Sequence, residues 1–303
     1  MFPSYYHSFG ITKDNLVFIE SPWRLNIFKL FKTFWNSESI DTAMVWKENV
    51  KTRFYLVSLQ SGAIHPVVYQ SDGFFAFHHI NAYEEDGQVV VDVAGYDRVD
   101  VLFEMFKNPT GDIQGQNLGS ATTRRYILPL NVEDAVSDQN LVTVQDSKAK
   151  AFLNGSVDGK PRIFCTPHHL TDGWVELPRI NYRFNGEKFN YFYGVYASKG
   201  SGWTGIDTLT KVNVRNNSSI CWSEEGMVPF EPIFVASPNS QDEDDGVILS
   251  TLLDKMEETQ ATLLILNAKD MQEVARVKFN TAGPFTPSFH GQWANESDKT
   301  HMF

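Results

Sequence analysis

Polar and apolar residues alternate in short runs through most of this chain. Thr52-Arg53-Phe54-Tyr55-Leu56-Val57 and Gly87-Gln88-Val89-Val90-Val91-Asp92-Val93 show the pattern. Every second side chain then faces the same way, as along a half-buried strand. Apolar-rich runs of similar length predict further strands over Leu16–Glu20, Arg124–Leu130, Lys160–Cys165, Phe189–Gly194, Pro232–Ala236, Gly246–Leu253 and Thr262–Asn267. Turn formers stand between them, at Glu85-Asp86-Gly87, Asn185-Gly186 and Asp244-Asp245-Gly246. Many short strands, each closed by a turn, predict an all-β fold of the sandwich, barrel or propeller kind. The stretch after Asp86-Gly87 is similar to the stretch after Asp245-Gly246, an acidic turn feeding a Val-rich strand, as a repeated unit would be. Two segments have helical spacing. Pro22–Trp35 places Leu25, Phe28, Phe31 and Trp35 near one face, and Val99–Phe106 is a shorter candidate.

Composition narrows the partners. Among 303 residues, 37 acids against 26 bases give a net charge of -11. A basic face for phosphate is therefore not expected, which argues against nucleic acid, and simple electrostatic attachment to anionic lipid is equally disfavoured. Aromatic residues reach 14%, which suits an aromatic-lined cavity or an aromatic β core. Two cysteines, Cys165 and Cys221, cannot make a disulfide scaffold. The first residues lack the pattern of a signal peptide, and no apolar run is long enough to span a membrane. The expectation is one domain over residues 1–303 in the cytoplasm. The acidic run Gln241–Gly246 reads as a solvated turn, with a cation site as the alternative.

Eight histidines carry the candidate chemistry. None has zinc-type spacing, and neither a Gly-x-Ser-x-Gly elbow nor a phosphate loop is present. An enzyme built on this chain must gather scattered residues. His7, His78 and His290 each follow an aromatic residue beside a predicted strand or turn, a setting that suits a half-buried histidine as well as a ligand.

Seven blocks in order carry a resemblance. They are Tyr6–Thr12, Phe77–Gly87, Arg124–Tyr126, Glu176–Tyr182, Glu231–Val235, Glu243–Ser250 and Phe289–Gly291. Together they resemble the carotenoid oxygenase family of carotenoid cleavage dioxygenases and a retinoid isomerohydrolase. The resemblance implies a seven-bladed β-propeller, N-terminally incomplete here, with Fe(II) on its axis held by four histidines. His7, His78 and His290 match three of those ligands. The first ligand and one of three supporting glutamates fall in a part of the family pattern that precedes this chain, so that a fragment is expected. Glu176 and Glu231 match the other two glutamates. His79 would point away from the axis, since neighbouring strand residues face opposite sides. His65, His168, His169 and His301 match no ligand block and are expected at the surface or in loops.

The implied chemistry is coherent. Neutral imidazoles leave Fe(II) its full charge, and outer carboxylates fix each tautomer by accepting the other ring N–H. The activity implied is cleavage of a conjugated C=C bond of a carotenoid or apocarotenoid by O2, giving carbonyl products such as retinal. The alternatives are hydrolysis and isomerisation of a retinyl ester at the same iron, or a non-catalytic lipid-binding fragment. The Trp23–Trp35 segment is expected either to dip peripherally into a bilayer or to pack on the propeller.

Overall fold

Adjacent hairpins build this protein, and their turns explain where the strands stop. In the computed structural model, which describes residues 2–100, 121–197, 206–286 and 288–294, the strands Phe75–Glu85 and Gln88–Tyr96 are joined by Asp86-Gly87. Both turn residues have positive φ, 51° and 71°. That is the backbone of a two-residue hairpin whose twist matches its strands. Asp158-Gly159, with φ of 51° and 74°, does the same between Lys150–Val157 and Lys160–Thr166. The second acidic turn, at Gly246, is different. A Cβ there would sit 2.3 Å from the Val235 carbonyl oxygen of the paired strand, so this glycine serves close approach and not a left-handed turn. The two similar stretches are thus alike in sequence for different reasons.

All nine strands predicted above form, with shifted ends; Gly87, for instance, belongs to the turn and the strand runs on to Tyr96. The structure adds others whose pattern is weaker, among them Val68–Ser71, Lys150–Val157, Trp174–Arg179, Ile206–Asn213 and Glu273–Asn280.

The chain divides into two compact units, one made chiefly of residues 1–174 and the other chiefly of residues 175–183, 189–197 and 205–303. The first holds a six-stranded sheet in the order Gly10–Ile11, Asn15–Glu20, Thr52–Ser58, Val68–Ser71, Lys160–Thr166, Lys150–Val157. Its one parallel pairing joins Val68–Ser71 to Lys160–Thr166. A four-stranded sheet runs His168–His169, Ala121–Pro129, Gln88–Tyr96, Phe75–Glu85. Phe54, Phe74 and Tyr126 form the aromatic centre of this unit's core, with Phe74 and Tyr126 stacked at 5.0 Å. The Gln88–Tyr96 strand is buried along its whole length, and Asp92 within it pairs bidentately with Arg125 directly across the ladder, at 2.8 and 2.7 Å. A carboxylate this deep requires such a partner.

The second unit holds two sheets. One runs Trp174–Arg179, Tyr191–Ala197, Ile206–Asn213, Ser218–Ser223. The other runs Met227–Pro229, Gly246–Asp254, Gln260–Asn267, Glu273–Asn280, with Ile233–Ala236 also on Gly246–Asp254. Phe192, Leu209, Ile248, Leu252 and Leu264 are fully buried in this unit.

Three expectations need correction. The acidic run is neither a freely solvated turn nor a cation site. Asp242 pairs with Lys269, Asp244 with Lys211, and Glu243 accepts from the backbone N–H groups of Asn190 and Tyr191. Its carboxylates are consumed in tying the turn down. His168 is not a surface residue; it is a strand residue 7% exposed, paired in register with Arg125. The Trp23–Trp35 segment is part strand (Trp23–Leu25) and part helix (Ile27–Trp35), the helix capped by the Asn26 side chain, which accepts from the N–H groups of Phe28 and Lys29. Its aromatic side does not pack: Phe28, Phe31, Phe34 and Trp35 are 71–88% exposed, whereas Thr33 is buried and bonded to Thr42. The second helical candidate, Val99–Phe106, lies largely outside the described residues, as does His301. Among the described residues no helix is long and apolar enough to cross a membrane.

Candidate functional site

His78 stands on the long strand Phe75–Glu85, where simple alternation fails. The ladder with Gln88–Tyr96 slips between Ala76 and His79 and again between His79 and Asn81. Such irregularities re-aim side chains. The ring of His78 meets that of His7 edge to face, with centroids 5.1 Å apart. A ring nitrogen of each lies within 4.8 Å of one of the other, near enough for a single ion to take both. His7 precedes the Gly10–Ile11 strand and packs against Phe77 at 5.2 Å. Its Nδ1 lies 3.1 Å from the Tyr5 hydroxyl, and burial pushes the Tyr5 pKa up, so that it remains a phenol. With Nδ1 engaged in this way, Nε2 is the nitrogen suited to coordinate.

His79 is held separately. Ser8 Oγ donates to the Phe77 carbonyl oxygen at 2.6 Å and accepts the His79 backbone N–H at 2.9 Å. His79 Nδ1 also lies 2.9 Å from this hydroxyl, while its Nε2 is buried with no hydrogen-bond partner among the described residues. Burial, and then the neighbouring His78, push the His79 pKa down to about 3. His79 is therefore a neutral structural histidine fastened to the segment that follows His7.

In the other unit, His290 and Glu231 meet. His290 Nδ1 lies 2.9 Å from Glu231 Oε1. The Gly291 N–H donates to Glu231 Oε2 at 2.8 Å. Arg179 grips the same carboxylate with two nitrogens, Nε on Oε1 and Nη2 on Oε2, each at 2.8 Å. Among the described residues every contact to this carboxylate comes from a group able to donate, and an ionised carboxylate is acceptor-only. His290 Nδ1 must then carry its proton, which leaves the Nε2 lone pair for a metal. Glu231 is 3% exposed, and the sequence places it 59 residues from His290. Burial is the largest influence and works against charge on Arg179, but the hydrogen bonds and charges of Glu231 and Tyr182 together outweigh it, and the guanidinium titrates above its ordinary value.

Glu176 lies on the Trp174–Arg179 strand, three residues before Arg179, and is fully buried. Its Oε2 accepts the N–H of the next residue, Leu177, at 2.8 Å. Leu177 has φ of 47°, rare for a bulky side chain. The chain can bulge there because Gly194 faces it: a Cβ on Gly194 would lie 2.5 Å from Val175 Cγ1 and 2.8 Å from the Glu176 carbonyl oxygen. Sequence reasoning selected Glu176 and Glu231 but not the arginine between them, although Arg179 stands in the same Glu-Leu-Pro-Arg block.

A cavity of about 630 Å³ opens beside Arg179 and Gly291. Tyr182, Ile233, Phe234 and Trp293 give it an apolar wall.

The donor set fits a metal. Each of the three candidate ligands is an imidazole, and in two of them Nδ1 is occupied by a protein oxygen, the second-sphere arrangement that orients metal-bound histidines.

Comparison with known proteins agrees with this reading of the blocks. The family model described as retinal pigment epithelial membrane protein matches residues 2–295. The mouse beta,beta-carotene 15,15'-dioxygenase is 37% identical over 280 residues, which is 90% of this chain and 48% of that protein. The mitochondrial carotenoid-cleaving dioxygenase of Macaca fascicularis is 34% identical over 95% of this chain and 53% of its own length. This chain thus spans about half the length of the curated relatives it matches. Among solved structures, an ACO/RPE65 chimera gives a TM-score of 0.73 at 22% identity, covering 96% of this chain and 53% of that one. Cobalt-substituted Synechocystis ACO gives 0.73 at 21% with the same coverage. At such identity the likeness shows the fold alone, and the fold is that of the carotenoid oxygenase propellers, of which this chain covers about half. With a family model matched over nearly its whole length, the chain belongs to the retinal pigment epithelial membrane protein family, that of the carotenoid oxygenases.

Proposed function

We propose that this chain carries the iron-binding part of a dioxygenase that cleaves a conjugated C=C bond of a carotenoid or apocarotenoid. His7, His78 and His290 would give imidazole nitrogens to one Fe(II), and Glu231 and Glu176 would support them. The observation that carries this reading is the Glu231–His290 contact at 2.9 Å, in which a buried carboxylate fixes the tautomer of an imidazole 47% exposed. Bound iron supplies the redox chemistry by which O2 adds across a double bond and splits it into two carbonyl products. The chain's own residues do the rest. Glu231 holds the His290 proton on Nδ1, and Tyr5 engages His7 Nδ1. Ile233, Phe234 and Trp293 would offer a polyene an apolar wall on one side of the cavity.

The substrate is insoluble, and the outward aromatic side of the Ile27–Trp35 helix offers a way to reach it. Phe28, Phe31, Phe34 and Trp35 can enter the interface of a bilayer, with peripheral contact as the result. Phe31→Glu should abolish liposome flotation with the circular dichroism spectrum unchanged; undiminished flotation would remove the helix from the proposal.

Activity is tested with the chain loaded anaerobically with Fe(II), then given O2 and either a carotenoid, an apocarotenal or a retinyl ester in detergent. Aldehydes carrying label from 18O2, lost in His290→Ala, are expected from the first two. Free isomerised retinol from the ester, without aldehyde, would favour isomerohydrolysis. A folded chain that retains no iron would overturn the reading.

A further inference from the structure

The geometry points to Arg179 as a positioning residue for the His290 side of the candidate metal centre, acting through Glu231. This inference rests on the iron reading above and extends it by one residue. Arg179 uses its whole fork. Nε and Nη2 cover the two oxygens of Glu231, Nη2 also donates to the Gly291 carbonyl oxygen at 3.0 Å, and Nη1 donates to the Tyr182 hydroxyl at 2.6 Å. It therefore holds both the carboxylate that orients His290 and the backbone immediately after His290. The Gly291 N–H returns to Glu231, which closes a ring of contacts around the backbone of one residue.

The consequence is chemical as well as mechanical. A carboxylate hydrogen-bonded to an imidazole draws on the Nδ1 proton and raises the basicity of Nε2. A guanidinium on the same carboxylate withdraws part of that charge. Arg179 thus sets both where the Glu231 oxygens lie and how strongly they act on His290. Lysine could not replace it, since an ammonium is a point donor and cannot span two carboxylate oxygens and a carbonyl in one plane. The spacing explains why a single block carries both functions. Glu176 and Arg179 share the strand Trp174–Arg179, so that one strand supplies one candidate supporting carboxylate and anchors the other.

Two measurements on the full chain test this. The first needs no metal: with ring-labelled histidine, the hydrogen-bonded Nδ1–H of His290 should give a downfield resonance that disappears in Glu231→Gln. Arg179→Lys and Arg179→Gln should each move or broaden it. The second is Co(II) affinity, followed by visible absorption. Arg179→Gln is expected to weaken it by about tenfold, at the lower end of the effect of outer-sphere partners. In the Glu231→Gln background the same change should cost little more, because a residue acting through Glu231 has nothing left to act on. If Arg179→Gln does not fold, Arg179→Lys still decides, through the His290 resonance and through the same cycle run with Arg179→Lys in the Glu231→Gln background. A His290 resonance untouched in Arg179→Lys, or additive losses in the double variant, would overturn the proposal. A parent chain with no Co(II) bands but with the resonance and its response intact would sink the metal reading and leave the positioning role standing.

Discussion

The two places where candidate ligands stand are built on opposite principles. In the first unit, His7 and His78 are set by rings and a phenol: Phe77 against His7, His78 edge-on to His7, and the Tyr5 hydroxyl at Nδ1. All of those contacts are neutral. In the second, His290 is set by a carboxylate that accepts four donors, two of them from a guanidinium. Neutral packing tolerates small displacements, because dispersion contacts are many and individually weak. A buried charge pair does not, because losing one partner leaves the other desolvated and unpaired. The difference teaches that the same donor atom can be held by volume or by charge, and that the two modes should respond differently to substitution.

The largest contrast is expected in stability. Glu231→Ala leaves Arg179 without its carboxylate and should cost about 3 kcal/mol in urea unfolding. Tyr5→Phe removes one half-exposed hydroxyl contact and should cost no more than about 1 kcal/mol. Equal losses would break the comparison. Next in size is metal binding. Glu231→Gln should lower Co(II) affinity about 10–100-fold, whereas Tyr5→Phe should stay under about tenfold. A larger effect at Tyr5 would mean that the phenol, and not the carboxylate, dominates the centre. A comparable effect is expected from Gly194→Ala. It should destabilise the chain by about 1–3 kcal/mol by overpacking against Val175 and the Glu176 carbonyl, and so displace Glu176, in thermal melts.

A further contrast concerns pH in the first unit. His65, His79, His168 and His169 have pKa values lowered, chiefly by burial, with His79 brought down to about 3. In each the folded state takes up a proton less readily than the unfolded chain. Their contribution is fully present above the unfolded value of 6.5 and is lost as pH falls through the folded values. Urea midpoints should therefore drop between about pH 7 and 5, and His168→Asn should flatten that slope. A midpoint that rises on acidification would contradict the burial of these rings.

The seven blocks made the family, the all-β class and the candidate ligands legible, and alternation with turn chemistry made nine strands legible. The Lys150–Val157 strand is hard to read although Asp158-Gly159 advertises its hairpin, because Asn154-Gly155-Ser156, residue types that favour turns, interrupts it between Phe152-Leu153 and Val157. Arg179 stands within a block with no legible role, since nothing local to it says that its partner lies 52 residues further on.

What the amino-acid order determined by itself was local: where polar and apolar residues alternate, where Asp-Gly pairs can reverse the chain, and which side chains carry imidazole and carboxylate. These follow from steric and solvation preferences that act over a few residues. The tertiary structure decided the rest. It broke the ladder at His78 and His79, allowed Leu177 its left-handed bulge because Gly194 offers room, turned the aromatic side of the Ile27–Trp35 helix outward, and closed Arg179 onto Glu231. Each of those depends on which distant segment packs alongside, and register, burial and the pairing of a buried charge exist only once that neighbour is in place.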